Sequence, residues 1–234
     1  MIRIDLGNQE NVSKTCLLYS GGIDSLIAWY MLGRPDTLYV DLGHRYAWKE
    51  RNAIRSLPPK PYIIASNYGR GCERADAYIP GRNLHLVMCA AARGYDRINF
   101  VAQKGEQNTP DRTPEFFDRA SEMLSFTFGR KIQILNPAKD MYKHEMVKWY
   151  LDTGLLSTDD LVTTASCYSG KIGVFSHCGA CPACFRKYVA LIYNGIDCLY
   201  IFQANVKEWG REHYLPRLDE YDEERAKVMK DVLL

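Results

Sequence analysis

Thr15-Cys-Leu-Leu-Tyr19 runs into Ser20-Gly-Gly-Ile-Asp-Ser25, and that into Leu26-Ile-Ala-Trp-Tyr-Met-Leu32. The first run is short, apolar and β-compatible. The last has helical length and meets no breaker before Gly33. The hexapeptide between them is therefore expected as a strand-to-helix turn. Gly21 and Gly22 permit torsions that other residues avoid, and they let a ligand approach the main chain closely. Successive amides, together with the positive end of the following helix, make an anion site there. Ser20 and Ser25 add hydroxyl donors, Ile23 leads into the helix, and Asp24 is placed to hold a magnesium ion between phosphates. Two glycines alone would suggest no more than an ordinary α/β turn; the two serines and the aspartate favour phosphate. No lysine follows the glycines, so this is not the nucleotide loop ending in Gly-Lys-Ser/Thr.

Reading outward, Thr37–Val40 is a second strand, ending at Asp41-Leu42-Gly43-His44-Arg45. Ligands of open parallel sheets bind at the C-terminal strand edge, so Leu42, Gly43, His44 and Arg45 are candidates for the same nucleotide. Ala47–Leu57 reads as a helix and Tyr62–Ala65 as a third strand, followed by a polar, irregular loop to Ile79 with the character of a lid. Gly81-Arg82-Asn83 opens a helix whose Leu84, Val87, Met88 and Ala91 follow core spacing. A surface cation in that first turn would oppose the helix dipole, whereas a bound anion would account for Arg82. Arg97–Ala102 is a fourth strand, and the loop after it brings Lys104, Glu106, Asp111 and Arg112 to the same edge. A helix from Pro114, a fifth strand at Lys131–Leu135, and a helix from Lys143 complete the alternation. Strands alternating with helices predict an α/β fold: a doubly wound, mainly parallel sheet.

With 234 residues, 47% of them hydrophobic, the chain can bury one sizeable core and carry a small appendage. A net charge of +2 gives no electrostatic footprint for nucleic acid, so direct binding of nucleic acid is not expected. There is no apolar run of membrane-spanning length. The start, Met1-Ile-Arg-Ile-Asp-Leu6, does not read as a signal peptide, and a cytoplasmic protein is expected. Of eight cysteines, Cys16, Cys72, Cys89 and Cys198 are scattered, while Cys167, Cys178, Cys181 and Cys184 cluster. Two interlocking CxxC steps place thiolates on one small cation. Four thiolates fill a tetrahedral zinc shell and leave no open position, which makes the zinc structural. An iron–sulfur cluster, a redox pair, or His177 replacing one sulfur remain open on the same spacing.

The turn resembles the pyrophosphate loop of the ATP pyrophosphatases, which transfer AMP and release pyrophosphate. With Gly43-His44-Arg45, Ile79-Pro-Gly-Arg-Asn83, Pro110-Asp111, Glu115-Phe116, Lys143-x-Glu145, Ser166-Cys167-Tyr168-x-Gly170 and Cys178-Gly-x-Cys-Pro-x-Cys184, the chain resembles the QueC family. These are the 7-cyano-7-deazaguanine synthases of the queuosine pathway, and the likeness runs from about Lys14 to Ala190. It implies an adenine nucleotide alpha-hydrolase-like fold with a small C-terminal zinc-bound subregion. It also implies ATP, magnesium and structural zinc as cofactors, and 7-carboxy-7-deazaguanine and ammonia as substrates. By this resemblance Ser20–Ser25 hold pyrophosphate and metal, with Asp24, Lys143 and Arg82 catalytic. Arg82, Asn83, Lys104, Glu106, Asp111 and Arg112 then fall to the substrate. The resemblance further implies a homodimer.

Three features depart from the family pattern. The loop Lys104-Gly-Glu-Gln-Asn-Thr-Pro-Asp111-Arg112-Thr113 is short, lacks the family's cysteine, and has its arginine displaced by one position. Lys187, with Arg186 beside it, stands where an arginine is expected after Cys184. Residues 205–234 run past the family's usual end. Their charged stretch Asp219–Leu234 reads as a solvated surface helix with Tyr221, Met229 and Leu233 as packing points, or else as an element that binds a protein partner. The expected division is a nucleotide-binding domain over 1–152, a zinc-binding subregion over 153–204 and an extension over 205–234. The altered loop leaves open a relative that adenylates the carboxylate but stops at the amide, or passes the acyl group to another amine, such as one on a protein. A base-thiolating enzyme and a non-catalytic zinc module are the remaining readings. Against them stand the missing catalytic cysteine and RNA-binding domain, and the intact loop.

Overall fold

In the computed structural model, residues 13–107, 109–154, 157–170 and 176–234 are described; the extreme N-terminal stretch read for a signal peptide lies outside them. Five strands form one sheet: β1 (Thr15–Leu18), β2 (Asp36–Asp41), β3 (Tyr62–Ala65), β4 (Arg97–Asn99) and β5 (Gln133–Leu135). Their order is β3-β2-β1-β4-β5 and every pairing is parallel, so the expected mainly parallel sheet is parallel throughout. Cys16 of β1 pairs with Asp36 on one side and Ile98 on the other. Strand order reverses about β1, which opens a crevice at the C-terminal ends of β1 and β4.

The intervening segments are helical: α1 (Ile23–Met31), α2 (Ala47–Ser56), α3 (Tyr68–Cys72), α4 (Arg82–Ala92), α5 (Pro114–Phe128), α6 (Lys143–Asp152) and α7 (Thr158–Thr163). After them come α8 (Pro182–Tyr193), α9 (Val206–His213) and α10 (Glu223–Leu233). On one sheet face α4 and α5 bury Val87, Ala90, Phe117 and Leu124 against Leu38, Val40 and Ile98. On the other, α1 and α2 bury Leu26 and Ile54 against Leu17 and Tyr39. The central strands, covered on both faces, are apolar rather than alternating, as a buried parallel sheet requires. Local signals agree with the packing. Thr113 caps α5 through Phe116 N at 3.2 Å with Pro114 in its first turn, and Gly129 ends it at φ +62°. The irregular loop after β3 contains α3, where Gly69 sits so close to Leu42 O that a Cβ would lie 3.0 Å from it.

A third cluster joins α1 and α6 to the C-terminal helices, through Ile23, Met146, Phe185, Leu191, Val228 and Leu233. The extension is therefore not a solvated helix laid on the surface. Val228, Met229, Val232 and Leu233 of α10 are all buried, each contributing about 1.5–3 kcal/mol of transfer free energy. Among the described residues no helix is long and apolar enough to cross a membrane.

Candidate active site

Gly22 caps α1, so the helix begins at Ile23, inside the loop, and Asp24 and Ser25 occupy its first turn. Gly21 has φ +70°, and a Cβ there would meet Glu50 O at 3.0 Å and Ala53 Cβ at 3.1 Å; the loop lies directly on α2. Ser25 Oγ donates to Gly22 O at 3.0 Å, and Gly22 N donates to Ser20 Oγ at 3.3 Å, which folds the loop around its own amides. From outside, Ala165 N donates to Gly21 O at 2.9 Å. Lys143 Nζ, at the first residue of α6, reaches both oxygens of Asp24 at 2.6 and 2.7 Å.

Three cavities, of about 210, 310 and 160 Å3, share Arg82, Glu106 and Arg112, and the first and third of them open on this loop. The first lies over the strand ends with Leu42, His44 and Phe100 and has the apolar lining a nucleoside needs. The third holds Ser20, Gly22, Asp24 and Lys143, and suits phosphate and a metal ion. The second, and largest, is walled by tyrosines with Arg112, Arg186 and Asp111. Glu106 stands at the junction: Arg186 Nε is 2.9 Å and Arg112 Nη1 3.4 Å from its oxygens. Burial alone would raise its pKa, but Arg186, Lys143 and Arg112 hold it down at about 2. Asn83 Nδ2 donates to Asp111 O at 2.9 Å and fixes the turn that carries Arg112.

Three sequence candidates fall elsewhere. Gly43 packs on the loop after β3, where a Cβ would lie 2.9 Å from Asn67 Oδ1. Arg45 turns to the loop after α3, with Nε on Glu73 Oε1 at 2.6 Å, and lines none of these cavities. Lys104 lies 4.6 Å from the Tyr142 ring, in a smaller cleft beneath α10. Several lining residues escaped sequence reading. Arg186 enters the site while its neighbour Lys187 is fully buried, donating to Val162 O and Thr164 O at 2.7 Å each. Glu50 lines the first and third cavities and accepts from Tyr39 OH at 3.0 Å; His44 Nε2 is 3.5 Å away. Burial pushes Glu50 up to about 7, against the opposing Tyr39 hydrogen bond and Arg82. Burial likewise pushes His44 down to about 4, so its imidazole is neutral at pH 7. A faint sequence signal for Glu50 existed: it lies on the helix face of Ala47, Ala53 and Ile54, all buried.

The sulfur atoms of Cys167, Cys178, Cys181 and Cys184 lie within 4.8 Å of one another and can hold a single tetrahedral cation. Backbone amides of Ser169 and Cys178 point at Cys167 Sγ from 3.3 and 3.4 Å, and Ala180 N points at Cys178 Sγ from 3.4 Å. Hydrogen bonds from Cys178, Cys181 and Cys184 hold Cys167 as a thiolate, far below the usual thiol range. The donor set fits zinc. His177 instead places Nε2 3.0 Å from Ser166 Oγ.

The family model described as queuosine biosynthesis protein QueC matches residues 55–195. The 7-cyano-7-deazaguanine synthase of Saccharolobus solfataricus is 28% identical over 220 residues, 78% of this chain and 46% of that protein. The chain thus spans just under half the length of that relative. The Methanopyrus kandleri synthase is 27% identical over 227 residues, 80% of this chain and 97% of that protein. A Methanococcus maripaludis synthase is 30% identical over 127 residues, about half of each chain.

Proposed function

The chain belongs to the QueC family of queuosine biosynthesis proteins, and from that premise we propose that it uses ATP to convert 7-carboxy-7-deazaguanine and ammonia into 7-cyano-7-deazaguanine. The observation that carries this reading is the meeting of three cavities at Arg82, Glu106 and Arg112, two of them opening on the Ser20–Ser25 loop, with Lys143 and Arg186 beside them. That arrangement suits a nucleoside, its phosphates and a second, planar anion held side by side.

A carboxylate resists amines because its leaving group would be oxide. In the proposed reaction a carboxylate oxygen attacks the α-phosphorus of ATP and pyrophosphate leaves, giving an acyl adenylate. The loop amides with Ser20 and Ser25 bind the departing pyrophosphate, and Arg82 and Lys143 neutralise the charge that develops on it. A magnesium ion held by Asp24 would offset phosphate charge. Ammonia attacks the acyl carbon, AMP leaves and one proton is released. A second adenylation, on the amide oxygen, followed by loss of AMP and two protons, gives the nitrile. Glu50 is the proton acceptor: its carboxyl gains and loses a proton near neutral pH in the cavity that holds the loop. His44, neutral and buried, lines the nucleoside side.

Incubation with ATP, magnesium, ammonium and the carboxylate, read by mass spectrometry with Asp24→Ala as control, tests the reading. A nitrile that the control does not form supports it. An amide that accumulates with no nitrile overturns it and points to an enzyme that stops at the amide or serves another amine.

A further inference from the structure

The family match ends at residue 195, yet the largest cavity of the site is completed by residues beyond it. The linker between α9 and α10 and the first turn of α10 supply Tyr214, Tyr221 and Arg225 to its lining. Their placement is fixed from several sides. Tyr214 stacks on Phe185 at 4.1 Å between ring centroids. Asp222 caps α10 by accepting from Arg225 N at 3.0 Å, and the same Oδ1 accepts from Tyr142 OH at 2.8 Å. Glu224 lies 3.4 Å from His144 Nε2. This start of α10 is thereby tied to α6, the helix that carries Lys143.

From there Arg225 reaches back into the loop after β4. Its Nη1 donates to Gly105 O at 2.6 Å, and its guanidinium carbon lies 4.7 Å from the centre of the Tyr221 ring. Gly105 has φ +78°, which favours glycine, and a Cβ at that position would lie 2.6 Å from Arg225 Cδ and displace the arginine. The next residue is Glu106, whose carboxylate holds Arg112 and Arg186. The chain from Arg225 to the cations is therefore short: one hydrogen bond to a carbonyl, one peptide unit, two ion pairs.

We infer that Tyr214, Tyr221 and Arg225 form the specificity wall of the acyl-substrate cavity. The tyrosines present flat apolar faces to a planar heteroaromatic ring, and Arg225 is a positioning residue that sets Glu106 and Arg112 through Gly105. The choice of a deazaguanine carboxylate as that ring rests on the proposed function. The wall itself rests on the contacts above. The short loop between Lys104 and Thr113 fits this arrangement, because α10 supplies from outside the support that a longer loop would give itself.

Arg225→Ala, Arg225→Lys and Tyr221→Ala in the full chain test the inference, since deleting the extension would expose the apolar surface of α6 and α8 that α10 covers. For Arg225→Ala we expect KM for the carboxylate to rise about tenfold or more and KM for ATP to stay within about twofold. Arg225→Lys should recover part of the loss, because an ammonium still donates to Gly105 O. Tyr221→Ala should raise the carboxylate KM with unchanged ATP KM. Hydrogen exchange gives a readout independent of the reaction: the Glu106 amide, which donates to Gln103 O at 3.0 Å, should exchange faster in Arg225→Ala. Equal rises in both KM values, or unchanged exchange at Glu106, would overturn the inference. Wild-type protein inactive on the carboxylate, with faster Glu106 exchange in the variant, would instead refute the proposed function and leave the positioning role standing.

Discussion

Replacing Glu50 by Gln should stabilise the protein and cripple its reaction, with the first effect growing as pH rises from about 4.5 to 7. In the folded chain burial raises the Glu50 pKa from 4.5 to about 7. Between those values the folded state holds a proton that the unfolded state has released. Stability therefore declines as pH rises across that window, and the full cost is present above pH 7. A shift of this size corresponds to about 3 kcal/mol at 1.36 kcal/mol per pKa unit. The substituted amide would still accept from Tyr39 OH and would carry no charge, so Glu50→Gln should gain up to about 3 kcal/mol at pH 8 and almost nothing at pH 4.5. For a chain of this length that is roughly 6–12 °C in Tm. Denaturant unfolding of zinc-loaded protein at the two pH values, followed by the fluorescence of its four tryptophans, measures it. Loss of a general base should slow ammonia-dependent turnover by about 10²–10⁴-fold. A variant no more stable at pH 8 than at pH 4.5, relative to wild type, would refute the reasoning about buried charge. Unimpaired turnover would remove Glu50 as the base.

Other consequences follow from the same contacts. Lys187→Met keeps the volume but leaves Val162 O and Thr164 O buried without their donor, and should cost about 2–4 kcal/mol in a thermal or chemical melt; a change below about 0.5 kcal/mol would contradict the bonding. Elemental analysis should find one zinc per chain, and chelation should lower Tm sharply, because Cys167 closes the segment whose Ala165 braces Gly21; iron with visible absorbance would contradict the zinc assignment. In Glu50→Gln, which removes the opposing titration of Glu50, acid should act in two steps. The unfolded chain protonates His44 near 6.5 while the folded chain does so at about 4, so stability falls across that interval. Glu106, ordinarily near 4.5 and held at about 2, adds a second loss as pH falls through that lower range; a flat Tm of that variant between pH 6.5 and 3 would contradict both.

The strand-to-helix turn at Ser20–Ser25, the strand–helix alternation and the cysteine cluster are legible because each is a local pattern: a turn chemistry, a period, a spacing. Sequence alone puts the start of α1 three residues late, since Ile23, Asp24 and Ser25 look like loop until Gly22 is seen to cap the helix. Arg186 and Lys187 cannot be told apart by spacing, because only the packing of α8 decides which of two adjacent cations points into the cavity and which into Val162 and Thr164. The extension reads as solvated because charge dominates its composition. Its buried Val228, Met229, Val232 and Leu233 do repeat at helical intervals, and that stripe is the available signal. The reach of Arg225 to Gly105 joins residues 120 positions apart and has no sequence signature.

Adenylation of the substrate carboxylate is the central claim, and oxygen tracing tests it most directly. With both carboxylate oxygens of 7-carboxy-7-deazaguanine replaced by oxygen-18, each nitrile formed should be accompanied by two AMP molecules carrying one label each. Label found in phosphate, or AMP that carries none, would contradict the account.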